Sequence, residues 1–212
     1  MKNSFKTIVA TLVVAIAAAA PMQSHAIDFG IRAGLDVTTP GDLKTGGFKV
    51  DMFKPGCGFH AGVVADIDLP SNLFFEPGMY LVYRTTGTDL VTDNALFGKP
   101  VKADLSLRQF GLMIPLRLGY NFDLKVCDLR IFTGPSFGVG LSGKWHGSGE
   151  SQDAYEDEGL SRFSVGWNLG AGVKISRFYV GMDYTFGLND RYKADESSWR
   201  QGTFAVSLGY YL

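Results

Sequence analysis

One segment of the chain combines residue types that could perform nucleophilic catalysis. His146 and Ser148 lie two positions apart, and Glu150 or Glu158 could supply an orienting acid. A serine, a histidine and an acid held rigidly within hydrogen-bonding distance would activate the serine oxygen for ester hydrolysis. Here the residues follow a predicted strand in a glycine-containing segment, so a solvated loop is the favoured interpretation and a hydrolase is the alternative.

Acidic residues cluster directly after this segment. Four acids lie between Asp153 and Glu158 and could gather Ca²⁺, but their spacing matches no dedicated calcium-binding loop. Histidine and cysteine form no cluster with the spacing of a transition-metal site. We therefore predict no metal, no cofactor and no catalytic residue, and we interpret the acidic run as a solvated loop.

Charge and cysteine content exclude several classes of protein. The 212-residue chain has 20 Lys and Arg against 21 Asp and Glu, so it lacks the basic excess of a nucleic-acid-binding protein. Its two cysteines, Cys57 and Cys127, are too few for a disulfide scaffold. The 27 glycines and 13% aromatic residues indicate a protein rich in β-structure.

The N-terminal segment has the pattern of an export signal. Lys2 and Lys6 precede an apolar stretch from Ile8 to Ala20, and Ser24-His25-Ala26 places small residues before a cleavage site. We predict a signal peptide over residues 1–26, with cleavage between Ala26 and Ile27. Residues 27–212 would then form the mature domain.

From Ile27 onward, apolar residues recur at every second position, which is the period of a β-strand. One face of each segment is bulky and apolar, and the other consists mainly of glycine, serine and a few charged residues. Eight strands are predicted, over residues 27–37, 59–69, 73–83, 110–122, 129–141, 163–175, 178–188 and 204–212.

The connections between these strands alternate between long and short. Short turns at one rim and long loops at the other are typical of outer-membrane barrels. The lumen of an eight-stranded barrel is only just filled by side chains, so the bulky apolar face must point toward lipid. The sequence therefore predicts an all-β, eight-stranded antiparallel up-and-down transmembrane β-barrel. We expect a monomer in the cell outer membrane, with the short turns in the periplasm.

Two irregularities are expected within the strands. Pro77, Pro115 and Pro135 each remove a hydrogen-bond donor from a strand that is paired on both sides, which predicts bulges or kinks. Leu105 and Leu107 are out of phase with the strand that begins at Phe110, which predicts a further bulge near Arg108-Gln109.

Charged residues on the small face of the strands would lie inside the barrel, where they must pair or stay wet. In one interpretation they form a salt-bridged plug that stiffens the barrel. In the other they line a gated narrow path in which Glu76 exchanges partners among Arg32, Arg117 and Arg130. The predicted lumen cluster is Arg32, Asp66, Glu76, Arg117, Arg130, Lys174 and Asp183, and Asp28, Asp36, His60 and Asp68 share its phase.

Several short motifs resemble those of a known family. Gly58-Phe59-His60-Ala61-Gly62-Val63 resembles the second strand of the small porin-family (PorT-like) outer-membrane barrels of Bacteroidota. Phe75-Glu76-Pro77-Gly78-Met79-Tyr80, Ile114-Pro115-Leu116 and Gly134-Pro135 are similar to that family's third, fourth and fifth strands. The resemblance implies a barrel of OmpX/OmpA-like size, and it does not imply transport.

Three functions are compatible with these patterns. In the favoured one, a non-enzymatic protein makes contacts through its extracellular loops, in adhesion, envelope integrity or partner binding. The second is a narrow channel for small solutes. The third is a lipid A-modifying hydrolase, because His146, Ser148 and an acid resemble the residue set of the outer-membrane lipid A deacylases. The expected partners are outer-membrane lipid and, during biogenesis, the barrel-assembly machinery, with no nucleic acid.

Overall fold

The fold is taken from a computed structural model of the chain. It describes residues 27–40, 43–45, 48–50, 55–92, 101–147, 150–153, 161–189, 197–198 and 201–212. The predicted signal peptide, residues 1–26, lies outside the described residues. In the ranges given above, no helix is long and apolar enough to cross a membrane.

Eight long strands form one closed antiparallel sheet. Each strand pairs with its neighbours along the chain, and the first strand pairs with the last, so the sheet has no free edge. This arrangement confirms the predicted fold class. The strands are β1 (Ile27–Pro40), β2 (Gly56–Asp68), β3 (Leu73–Thr92), β4 (Val101–Asp123), β5 (Asp128–Gly147), β6 (Phe163–Ile175), β7 (Phe178–Gly187) and β8 (Gln201–Tyr211).

Four short strands accompany the barrel. Leu43–Thr45 pairs with both Phe48–Val50 and Ser197–Ser198 in a separate small sheet, and Glu150–Asp153 pairs with the end of β5. All four lie in connections that the sequence predicted to be long. We call this side of the barrel the long-loop end.

The opposite side, the short-turn end, has tight connections whose residues adopt positive φ angles. Ser71 and Asn72 have φ angles of 65° and 61° between β2 and β3, and Ser176 has φ of 54° between β6 and β7. Asparagine and serine tolerate this conformation because their short polar side chains can bond to nearby backbone groups. The predicted alternation of turn lengths is thus present.

The barrel is apolar outside and polar inside, as predicted. Along β2, Phe59 and Val63 are exposed, whereas His60, Val64 and Asp66 are buried. Aromatic pairs lie on the outer surface at the short-turn end: the ring centroids of Tyr120 and Phe122 are 4.8 Å apart, and those of Phe178 and Tyr210 are 5.3 Å apart. Their placement matches the interfacial aromatic girdle of membrane barrels.

The three prolines interrupt strand pairing without shifting its register. Pro77, Leu116 and Pro135 occupy one row across β3, β4 and β5. The pairing of β3 with β4 is absent between Pro77 and Tyr80, and it resumes in the same register. The predicted disturbance is therefore a local loss of ladder bonds and not a bulge.

The bulge predicted near Arg108-Gln109 was placed on the wrong strand. Phe110 of β4 pairs with Ser142 and Gly111 pairs with Gly140, so Leu141 of β5 is the extra residue. Leu107 keeps the alternation of β4 and points inward, where it is 1% exposed. The expectation failed because apolar residues face outward only beside lipid, and Leu107 lies beyond the apolar band of the barrel.

Cys57 and Cys127 test this topology. Both thiols are free; Cys57 lies near the long-loop end of β2, and Cys127 lies in the short turn between β4 and β5. Because a disulfide requires Cα atoms within about 7 Å, we expect no intramolecular disulfide when the folded protein is oxidised, as judged by non-reducing gel mobility. Val37→Cys is the matched control, since Val37 is the cross-strand partner of Cys57 and should form one. A Cys57–Cys127 disulfide in folded protein would contradict the topology.

Candidate functional site in the barrel interior

Glu76 of β3 is the centre of the barrel interior. Its carboxylate accepts two hydrogen bonds from Arg32, at 2.7 and 2.8 Å, and one from Arg117 at 3.2 Å. The hydroxyl of Tyr211 donates to it at 2.9 Å, and Nη1 of Arg130 lies 3.5 Å away. Glu76 is 2% exposed. It therefore contacts at the same time all three arginines that the gated-path interpretation treated as alternatives.

Arg117 extends the network toward β7. Its Nη2 donates to Oδ1 of Asp183 at 3.0 Å, and the side-chain amide of Asn168 donates to Oδ2 of the same carboxylate at 2.7 Å. Asp183 thus has a partner on each of its two oxygens. This satisfies a carboxylate that is 6% exposed.

Arg130 extends the network toward the short-turn end. Its Nη2 donates to Oδ1 of Asp66 at 2.6 Å, and its Nε donates to Asn121 at 3.0 Å. Lys174 lies between two carboxylates, 3.3 Å from Asp66 and 3.4 Å from Asp28. All seven residues of the predicted lumen cluster therefore lie in one connected network.

Every strand contributes at least one side chain to this network. The four cations Arg32, Arg117, Arg130 and Lys174 are balanced by the four carboxylates Asp28, Asp66, Glu76 and Asp183, so these eight side chains carry no net charge. Tyr211 supplies the contribution of β8 and links β1 to the end of the chain through Arg32. We call these nine side chains the plug.

Aromatic rings fill the space around the plug. The guanidinium carbon of Arg130 lies 3.7 Å from the ring centroid of Phe74, and that of Arg32 lies 3.8 Å from Tyr179. Such contacts stabilise a desolvated cation through the ring quadrupole. The aromatic members were not among the predicted site residues, although Phe74 and Tyr179 share the inward phase of the glycines.

Glycine makes room for these rings. Gly172 lies on β6, and Gly181 lies on β7 with Tyr179. A Cβ atom on either glycine would collide with the hydroxyl end of the Tyr179 ring. A Cβ on Gly119 or Gly170 would collide with Phe74 or Phe132 in the same way. The inward glycines therefore leave the space that the interior aromatic rings fill, and together they give a well-packed interior.

A second group of contacts lies between the plug and the long-loop end. Nδ1 of His60 lies 2.7 Å from Oδ1 of Asp36, and its Nε2 lies 3.1 Å from Oγ of Ser207. Nε of Arg84 donates to the other oxygen of Asp36 at 3.3 Å. The sequence placed Asp36 and His60 inside the barrel, but it gave no signal that Ser207 joins them.

A cavity of about 70 Å³ occupies the interior at the long-loop end. Its walls are mainly glycines and small polar side chains, with Arg84, Gln109 and Gln201 as the larger polar groups. This volume holds a few water molecules or one small solute. We call it the long-loop cavity.

The catalytic and metal-binding alternatives fall outside the described side chains. These are His146, Ser148, Glu150, Glu158 and the acidic run from Asp153 to Glu158. Among the side chains that are described, no group of three or more His, Cys, Asp or Glu residues could hold a metal ion.

A closed antiparallel barrel with an apolar exterior and a charged interior is a transmembrane β-barrel of the outer-membrane type. The chain belongs to the family described as the outer membrane protein beta-barrel domain, whose model matches residues 19–193. It is an outer-membrane β-barrel protein, embedded in the lipid of the cell outer membrane.

Several solved structures are similar to the chain. Ail, the attachment invasion locus protein of Yersinia pestis, is 16% identical, with 88% of this chain and 99% of Ail covered and a TM-score of 0.41. OprG from Pseudomonas aeruginosa is 13% identical, with 89% and 97% covered and a TM-score of 0.43. Neisserial surface protein A is 13% identical, with 87% and 98% covered and a TM-score of 0.44. No curated protein matches the sequence.

Proposed function

We propose that the protein is a closed membrane-spanning support with a non-enzymatic role at the extracellular face, in adhesion, envelope integrity or partner binding. The observation that carries this proposal is the length of β3 and β4. They have 20 and 23 residues, whereas about 9–11 residues of a tilted strand cross a membrane.

The excess length forms a continuous ladder beyond the membrane. Lipid-facing apolar residues on β3 end near Tyr83, but pairing with β4 continues from Arg84 to Thr92. At about 3.3 Å per residue, this hairpin extends roughly 30 Å along the strand direction. A paired hairpin of that length presents a firm surface outside the cell, which suits a contact function.

The plug supports the closed interior in this proposal. Its side chains are nearly all buried and paired, and they join all eight strands across the barrel. A solute would have to break charge-assisted hydrogen bonds in a water-poor interior, where unpaired charges are costly. We therefore propose that the barrel does not conduct solutes.

Conductance in a planar bilayer tests the closed interior. We expect the folded wild-type protein to be electrically silent, with heat-shifted gel mobility as the check of folding. The double variant Arg32→Ala/Glu76→Ala removes one cation and one anion from the centre of the plug, and we expect discrete openings from it. The matched control, Asp28→Asn/Lys174→Gln, changes a pair at the rim in which Asp28 is 47% exposed and Lys174 17% exposed, and it should stay silent. Reproducible channels from the wild type would contradict a closed interior.

The extracellular role is tested by shortening the hairpin. Thr86 and Leu107 are cross-strand partners, so residues 87–106 can be replaced by a two-residue Asn-Gly turn without changing the register. In cells that lack the native gene, we expect this variant to fold but to fail in restoring detergent resistance or attachment to a coated surface. The Arg32→Ala/Glu76→Ala variant keeps the hairpin and should restore whichever property the wild type supports. A transport role would be favoured if the shortened variant restored the property and the Arg32→Ala/Glu76→Ala variant did not.

The long-loop cavity favours one second candidate, a narrow channel for small solutes. The cavity occupies the outer half of the interior and is lined mainly by small residues. Displacement of the plug would connect the cavity to the short-turn end. A lipid A-modifying hydrolase is a third possibility; it predicts that Ser148→Ala alters the lipid A of the cells.

The finer assignments rest on the sequence. We propose cleavage of the signal peptide between Ala26 and Ile27, assembly by the barrel-assembly machinery, and a monomeric protein. The motifs around His60 and Glu76 support a place near the PorT-like barrels of Bacteroidota. Mass spectrometry of the purified protein would locate its N-terminus, and failure to export partner proteins after gene deletion would indicate a secretion-accessory role.

A further inference from the structure

Three strands bring a serine, a histidine and an aspartate into one hydrogen-bonded series. Asp36 is on β1, His60 on β2 and Ser207 on β8. The two bonds, of 2.7 and 3.1 Å, join the carboxylate to one ring nitrogen and the serine oxygen to the other. When Nδ1 donates to the carboxylate, Nε2 is the ring atom that accepts the serine proton. This is the arrangement in which histidine acts as a general base toward serine.

Gly34 creates the space for this series. It is the cross-strand partner of His60 on one side and of Ser207 on the other. A Cβ atom on Gly34 would lie 2.5 Å from Cε1 and 2.7 Å from Nε2 of His60. The imidazole ring can therefore cross β1 to reach Ser207 only because this position is glycine.

The surroundings hold the imidazole and its carboxylate in place. Arg84 donates to Oδ2 of Asp36, which leaves Oδ1 for the ring, and Tyr80 packs edge-on against His60 with centroids 5.3 Å apart. Asp36, His60 and Ser207 are 1%, 4% and 2% exposed. A rigid and desolvated setting strengthens the electrostatic contribution of such a series.

The long-loop cavity lies next to this group. Arg84 lines the cavity and also bonds Asp36, and Val82, another lining residue, is the cross-strand partner of His60. On β8, Thr203 lines the cavity, and the single inward side chain between it and Ser207 is the small Ala205. Among the described residues, the acceptor of Nη2 of Arg84 is the thioether sulfur of Met113, at 3.7 Å, which is a weak acceptor. The cavity thus borders the series at Arg84, and along β8 the methyl group of Ala205 separates its wall from Ser207.

We propose that Ser207 is an activated nucleophile that accepts an acyl group from small activated carboxylic esters entering the long-loop cavity. The serine oxygen attacks the carbonyl carbon, and its proton passes to Nε2 of His60. The bond from carbon to the ester oxygen then breaks, and His60 returns the proton to the departing oxygen. The products are acyl-Ser207 and the free alcohol, and Asp36 stays ionised throughout.

This reaction is a modification of the barrel interior by one acyl group per molecule. It adds a property to the proposed extracellular role and depends on Asp36, His60 and Ser207, which lie on β1, β2 and β8 and not in the β3–β4 hairpin.

The test uses the folded mature protein in detergent micelles with p-nitrophenyl acetate. We expect up to one equivalent of p-nitrophenolate and an acetyl group on Ser207, located by mass spectrometry of peptides. His60→Gln should lower the rate of acetylation by about 100-fold or more, because general-base assistance contributes that much. Asp36→Asn, which keeps the ring in place but favours the tautomer whose Nε2 carries a proton and cannot act as the base, is a second variant in case the first does not fold.

Ser136 is the control within the same molecule. It lines the cavity directly and is 4% exposed, yet it does not belong to the Asp36–His60–Ser207 series. Activation predicts acetylation of Ser207 and not of Ser136, whereas simple access predicts the reverse. No acetyl group on Ser207 in protein shown to be folded, or an unchanged rate in a folded His60→Gln or Asp36→Asn variant, would overturn the proposal.

Discussion

Replacing Glu76 by alanine is expected to lower the free energy of unfolding by about 3–5 kcal/mol, the range for breaking a buried ion pair by removing one partner. The loss is large because Glu76 serves three arginines at once. Without it, the partners that remain to Arg32 among the described residues are Tyr211 and the face of Tyr179, and the plug gains a net positive charge. Arg117 and Arg130 still have Asp183 and Asp66.

Urea unfolding of the protein in micelles, followed by tryptophan fluorescence, measures this loss. Asp28→Ala is the matched control, because it also removes a carboxylate from the network. Asp28 is 47% exposed, and in the part of the chain that the structure describes its ion pair is with Lys174 at 3.4 Å, so we expect a change below about 1 kcal/mol. The double variant Arg32→Ala/Glu76→Ala should lose less stability than Glu76→Ala alone, since it removes the stranded charge. Equal effects at Glu76 and Asp28 would show that the plug does not stabilise the barrel.

The second large effect is expected from one methyl group. A Cβ atom at Gly62 of β2 would collide with the backbone carbonyl oxygen of Met79 and lie 2.7 Å from Cα of Tyr80. Both obstacles are backbone atoms of β3, so no side chain can rotate away. Gly62→Ala must push two paired strands apart, at a cost of about 3 kcal/mol, toward the upper end of typical overpacking.

Gly87→Ala is the control for this substitution. Gly87 lies on β3 beyond the membrane, and a Cβ atom placed there meets nothing within 4 Å. Because alanine restricts the unfolded chain more than glycine does, we expect no loss of stability from it. The same urea titration distinguishes the two variants, and equal stability would mean that the close approach of β2 and β3 relaxes freely.

Both predictions concern residues that fix how the strands meet. A shift of one residue in any strand would turn its inward charges toward lipid, where each is costly. The plug has charged side chains on seven strands and the Tyr211 hydroxyl on the eighth, so such a shift is penalised in every strand. We therefore infer that the buried charges select the register of the barrel, in addition to closing its lumen.

The sequence by itself determined the architecture. Its alternation of period two marked the eight strands, and the volume of the apolar face decided which side meets lipid. These inferences succeed because side-chain direction along a strand depends only on local geometry. The same logic placed Glu76 and its three arginines inside the barrel. It failed at Leu107, where the strand leaves the membrane and an apolar residue no longer has lipid beside it.

Only the tertiary structure decided which inward side chains touch. Partners such as His60 and Ser207, or Arg117 and Asp183, come from strands far apart in the chain. Their contact depends on the stagger between strands and on distances across the lumen. A strand that shifts by an even number of residues keeps the same side chains facing inward. The alternation of period two therefore carries no information about the stagger between strands. The strands and their faces were therefore readable from the sequence, whereas the plug contacts and the Asp36–His60–Ser207 series required the closed barrel.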